Sequence, residues 1–80
     1  MDEGYSIQSF GMGLRYQEGD HVCLVGGEPS SPWMYYLAKL RWQPPHFDEP
    51  MSAETEQRVR QRALDWLRDQ NLPFMTDIPG

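Results

Sequence analysis

Pro32-Trp33-Met34-Tyr35-Tyr36-Leu37-Ala38-Lys39-Leu40-Arg41-Trp42 is the stretch on which the fold turns. Read at period two, Met34, Tyr36, Ala38, Leu40 and Trp42 share one face, and Tyr35, Leu37, Lys39 and Arg41 the other. Read at helical spacing, Trp33, Tyr36, Leu37 and Leu40 form a stripe, with Ser31 as N-cap, Pro32 at the first helical position and Pro44-Pro45 as the stop. Alternating apolar positions would scatter around a helix, so the pattern predicts a strand over 33–42. The helix stays open as the alternative on the sequence alone.

Upstream, Tyr5 and Ile7 alternate with polar residues, which predicts a half-buried strand over 3–10. Gly11 and Gly13 predict a bend or bulge there, and Leu14 to Tyr16 lead into a turn at Gln17-Glu18-Gly19-Asp20. His21-Val22-Cys23-Leu24-Val25 is β-branched and apolar, a second strand; Gly26 to Pro32 is a loop by composition.

Downstream, Pro44, Pro45 and Pro50 make residues 44–51 a stiff connector. Ser52 is an N-cap, with Glu54 and Glu56 in the first turn where the helix dipole favours anions. Val59, Ala63, Trp66 and Leu67, widened by Leu64, give the apolar stripe of a helix within 52–70. Glu54–Arg58 and Glu56–Arg60 are spaced as pairs one turn apart. Asn71 fits a left-handed cap, and Pro73 bars continuation. The tail, 72–80, holds Leu72, Phe74, Met75 and Ile78, too apolar for a solvated end; it folds back on the sheet or meets a partner.

The whole, 1–80, is one small domain. Its class is α+β: a curled antiparallel sheet or barrel (3–43), the connector, and one amphipathic C-terminal helix. A formal charge of −5 argues against non-specific nucleic-acid binding. No apolar run reaches the ~18 residues of a membrane span, and the acidic start lacks the apolar stretch of a signal peptide. The expectation is a cytoplasmic protein. One Cys forbids an internal disulfide and a Cys-based zinc site.

Residues that carry chemistry are few. His21 and His46 are the only histidines, and no third ligand stands at metal-site spacing, so neither metal nor other cofactor is expected. Cys23 and His21 share a strand face, but a Cys amid apolar neighbours reads as structural rather than nucleophilic. No paired carboxylates fall in one cleft, and Gly26-Gly27-Glu28-Pro29 lacks the lysine of a phosphate loop. Arg58 and Arg62, one turn apart, could grip an anion, but Glu54, Asp65 and Asp69 make that face mixed in sign.

Tyr16-Gln17-Glu18-Gly19-Asp20-His21-Val22-Cys23-Leu24, then Gly27-Glu28, then Trp33 to Leu40, resembles the first hairpin of SH3-like barrels and of bromo-adjacent homology domains. The resemblance implies that Gly19 and Asp20 make the turn, that Val22 and Leu24 face the barrel, and that Trp33 onward pairs back. It implies no ligand-binding residue.

Three Trp, four Tyr and three Phe are more rings than one small core hides. The expected function is therefore non-catalytic: an interaction module, adapter or inhibitor, docking a protein partner through Trp33, Tyr35 and Trp42. One alternative is an acidic decoy of the phage type, aimed at a nucleic-acid-binding protein, with Glu18 and Asp20 as the charges. Another is a homo-oligomeric structural protein.

Overall fold

A computed structural model describes residues 4–78. The expected strand start at residue 3 and the last two tail residues lie outside that range. The elements in chain order are β1 (Tyr5–Phe10), β2 (Gly13–Glu18), β3 (His21–Glu28), β4 (Trp33–Tyr36), α1 (Ala53–Asp69) and β5 (Phe74–Thr76). The class is α+β, as the sequence indicated.

Among the described residues the strands form one sheet in the order β1-β2-β3-β4-β5, not closed into a barrel. The first four pair antiparallel, while β5 runs parallel to β4, with Trp33 opposite Phe74 and Tyr35 opposite Thr76. The expectation of an antiparallel sheet is corrected at this pair. A parallel neighbour needs a crossover, and α1 supplies it. The tail does fold back on the sheet.

Glycine sets the first two hairpins. Gly11 (φ 59) and Gly19 (φ 62) occupy the first central position of two-residue turns, where Phe10 faces Gly13 and Glu18 faces His21. The left-handed φ there matches the type II′ geometry that suits strand twist. The expected bend at Gly11 is thus a tight turn, and Leu14 to Tyr16 belong to a full strand. At Gly13 the constraint is different: a Cβ would lie 1.8 Å from the Val25 carbonyl oxygen, so only glycine lets β2 approach β3.

Cys23 and Val25 of β3 are buried, whereas Leu24 is 38% exposed and Val22 half-buried. The resemblance implied the opposite face. A single-residue offset in a strand exchanges its two faces, and the apolar run 22–25 carries no alternation to fix the choice.

Trp33 to Trp42 is neither a ten-residue strand nor a helix. The strand stops at Tyr36, and the chain then folds over so that Leu37, Leu40 and Trp42 all enter the core. Asp77 holds the break: its Oδ1 accepts the amides of Leu37 (2.6 Å) and Ala38 (2.9 Å). From the helix, Arg60 Nε donates to the Leu37 carbonyl at 3.0 Å. Both partners are about twenty to forty residues away in sequence.

The helix begins after Ser52, whose Oγ accepts the Thr55 amide, and ends with Asn71 in the left-handed region (φ 57). Val59, Ala63 and Leu67 are buried against Leu14, Tyr16, Cys23 and Val25, with Leu64 and Trp66 partly buried beside them. At ~25 cal/mol per Å2 of apolar surface, each large side chain in that seam contributes about 1.5–3 kcal/mol. Arg58 pairs with Glu18 of β2 at 2.8 Å, and Arg60 with the Leu37 carbonyl. Arg58 is thus spent on the sheet and Arg60 on the fold-over that follows β4.

Candidate functional site

A groove of about 420 Å3 opens where the end of α1 meets the β4–β5 edge. Trp33 and Tyr35 project from β4, Phe74 from β5 and Trp66 from α1; Leu72 and Pro73 close one side, and Ser30, Ser31 and Gln70 add hydroxyl and amide groups. Trp33 Nε1 donates to the Met12 carbonyl at 2.9 Å, which fixes its indole before any ligand arrives. Tyr35 meets Phe74 edge to face, centroids 6.4 Å apart. Leu72, at 69% exposure, keeps its side of the groove apolar. Burial raises the pKa of the Tyr35 hydroxyl, so it stays a neutral donor.

The residues singled out in the sequence separate here. Trp33 and Tyr35 share the groove. Trp42 does not: it is 6% exposed, packed in the core and bridged to Cys23, so its role as a docking anchor is corrected. The fold-over after Tyr36 turns it inward. Glu18 is engaged internally, accepting from Arg58 and, at 2.9 Å, from the Tyr16 hydroxyl. That hydroxyl in turn accepts from Arg62 at 2.9 Å, and the Arg62 guanidinium lies 4.1 Å above the Tyr5 ring. Trp66 and Phe74 were read only as core stripe and tail. Trp66 sits at the flank of the stripe, the one sequence signal that it faces outward.

A second cluster forms at the far end of β3. The His21 and His46 rings stack with centroids 3.8 Å apart and planes 15° from parallel. Asp20 borders one edge, 3.0 Å from His21 Nδ1 and 3.5 Å from His46 Nε2. Glu49 borders the other, 3.1 Å from His21 Nε2 and 2.5 Å from His46 Nδ1. The connector reaches this place because Gln43 donates to the Val22 carbonyl at 2.7 Å, and two turns then follow, His46 to Gln43 and Glu49 to His46. Trp42 supports His21 from below, ring centroids 4.9 Å apart.

Hydrogen bonds lead the protonation trends, ahead of charge. The hydrogen bond to Glu49 leads in raising the pKa of His21, and the same bond leads in lowering that of Glu49. Asp20 is lowered first by a hydrogen bond from its own backbone, then by the two histidines. Cys23 lies in the core at 0% exposure, and burial pushes its thiol pKa up. A raised thiol pKa opposes nucleophilic use.

No described helix is long and apolar enough to cross a membrane. No family model, curated protein or solved structure matches the chain.

Proposed function

We propose that this domain is a non-catalytic interaction module that captures an extended, apolar segment of a protein partner in the groove lined by Trp33, Tyr35, Trp66 and Phe74. The observation that carries the reading is a preformed cleft with four rings and a few convergent polar groups. Rigid rings give large contact area at small entropic cost, and Trp and Tyr dominate interface energetics. Grooves lined with aromatics suit extended segments, proline-containing ones above all. The formal charge of −5 favours a partner with basic flanks.

An SH3-like layout is the fold reading that accompanies this function. The antiparallel order of β1 to β4 and the Gly19-Asp20 turn support it, while the inverted face of β3 weighs against it. A cytoplasmic setting accompanies it too, in keeping with the free thiol of Cys23. The acidic decoy has less support, because Glu18 is engaged by Arg58 and Tyr16.

The test is selection of peptides from a displayed library on the wild-type domain, counter-selected on Trp33→Ala and Trp66→Ala. Both variants are first checked for an unchanged circular dichroism spectrum. Selected peptides that lose at least tenfold in affinity on both variants support the groove. Peptides that bind all three equally place recognition elsewhere. A wild-type chain that dimerises through these rings and selects nothing favours self-association.

A further inference from the structure

The geometry points to a second, separate site: we propose that Asp20, His21 and His46 bind a divalent transition-metal ion, with Glu49 behind them orienting both imidazoles. One ligand atom from each of the three lies within 4.8 Å of the others. A tetrahedral ion with bonds of ~2.0–2.1 Å holds its donor atoms ~3.3 Å apart. The nitrogens facing Asp20 already stand 3.0 and 3.5 Å from its oxygens.

Glu49 closes the other side of the histidine pair. It takes the opposite nitrogen of each ring, His21 Nε2 and His46 Nδ1. A carboxylate there can accept the ring proton on its own side, so that an ion arriving beside Asp20 displaces only the proton on the facing nitrogen and takes its lone pair. Carboxylate–histidine–metal relays are built this way. One carboxylate serving two histidines is more than a solvated acidic patch requires.

Two imidazoles and one carboxylate suit Zn2+ and its Co2+, Ni2+ and Cu2+ neighbours; Mg2+ and Ca2+ prefer all-oxygen sets. Asp20, 82% exposed on its side chain, leaves the fourth position open to water. Imidazole lone pairs lie in the ring plane. The stacked rings therefore hinge apart on binding so that the lone pairs converge, and the ring stack is lost. The ion would pin the connector, which carries His46, to the β2–β3 turn, which carries Asp20 and His21. A domain of eighty residues has a thin core and gains from such a clip.

The experiment strips the full chain with a chelator and titrates it with Zn2+ by calorimetry and thermal melting. Expected is saturable uptake of one equivalent, with the folded-to-unfolded ratio rising ~100-fold at a free concentration 100 times Kd. Glu49→Gln keeps the stoichiometry and weakens binding ~10–100-fold. His46→Gln abolishes it. Co2+ on the wild-type chain gives the intense visible bands of a four-coordinate ion, a readout that does not depend on any variant folding. Absence of saturable uptake, undiminished uptake by folded His46→Gln, the weak spectrum of six-coordinate Co2+, or displacement by excess Mg2+ would each overturn the site.

Discussion

Removing one oxygen atom tests how α1 is fastened to the sheet. Tyr16 is 0% exposed, and its hydroxyl donates to Glu18 at 2.9 Å and accepts from Arg62 at 2.9 Å. Tyr16→Phe keeps the ring, its 5.7 Å stack on Tyr5 and the core volume, and deletes both bonds. Hydrogen bonds to charged groups are worth about 1.5–3 kcal/mol each. Glu18 and Arg62 are only partly buried and rehydrate, and Arg58 remains on Glu18, so the expected net loss is about 2 kcal/mol. For a domain of this size that lowers Tm by about 8–16 °C, with the urea m-value unchanged. Combined with Arg62→Met, the losses should fall short of additive by about 1 kcal/mol. Alkaline pH gives an independent check. Burial leads in raising the Tyr16 pKa, so its contribution is full below ~10 and is lost as pH rises through the folded value. Tyr16→Phe flattens that limb of the stability curve, and Tyr35 and Tyr36, also raised, retain part of it. A loss under about 0.5 kcal/mol for Tyr16→Phe would mean that the two bonds carry no net stability, because ordinary surface changes do as much.

Two further outcomes follow from the same structure. Leu24→Ser should stay within about 0.5 kcal/mol of wild type in urea unfolding, whereas Val25→Ala should cost about 2 kcal/mol; the reverse ranking would restore the inward face that the resemblance implied. In chelator, the His21–Glu49–Asp20 cluster should stabilise most between about pH 4.3 and 6.5. The raised His21 contributes fully below ~6.5 and fades as pH climbs through its folded value, while the lowered Glu49 and Asp20 contribute above ~4.3 and fade as pH falls through theirs. The urea midpoints of wild type and Glu49→Gln should therefore differ more at pH 5.5 than at pH 8, and less in high salt; an equal or larger gap at pH 8 would contradict the assignment.

Legibility followed the range of the interactions. The helix was readable to within a residue because its cap at Ser52, its stripe at Val59, Ala63 and Leu67, and its stop at Asn71 are all local signals. The hairpin turn at Gly19 was readable for the same reason. What failed depends on distant partners. The break after Tyr36 is held by Asp77 and Arg60, and nothing within 33–42 announces either. With the break went the assignment of Trp42, which strand alternation put beside Met34 and Tyr36 and the fold-over put in the core. The parallel sense of β5 follows from the helix crossover rather than from Phe74-Met75-Thr76 itself. The histidine cluster was missed because its four members come from a turn and a connector more than twenty residues apart. Spacing rules for metal sites look along one element, and the His46-Phe47-Asp48-Glu49 turn was the only local hint.

The three indoles offer the most direct test of the groove. Trp33 and Trp66 line it, and Trp42 is sealed in the core. Their side-chain N–H resonances, assigned in a nitrogen-15 spectrum, can be followed while a library-selected peptide is titrated in. If the peptide seats in the groove, the Trp33 and Trp66 signals shift together and saturate with it, while Trp42 stays within the scatter of the backbone core. A shift at Trp42 with Trp33 and Trp66 unmoved would place binding outside the groove.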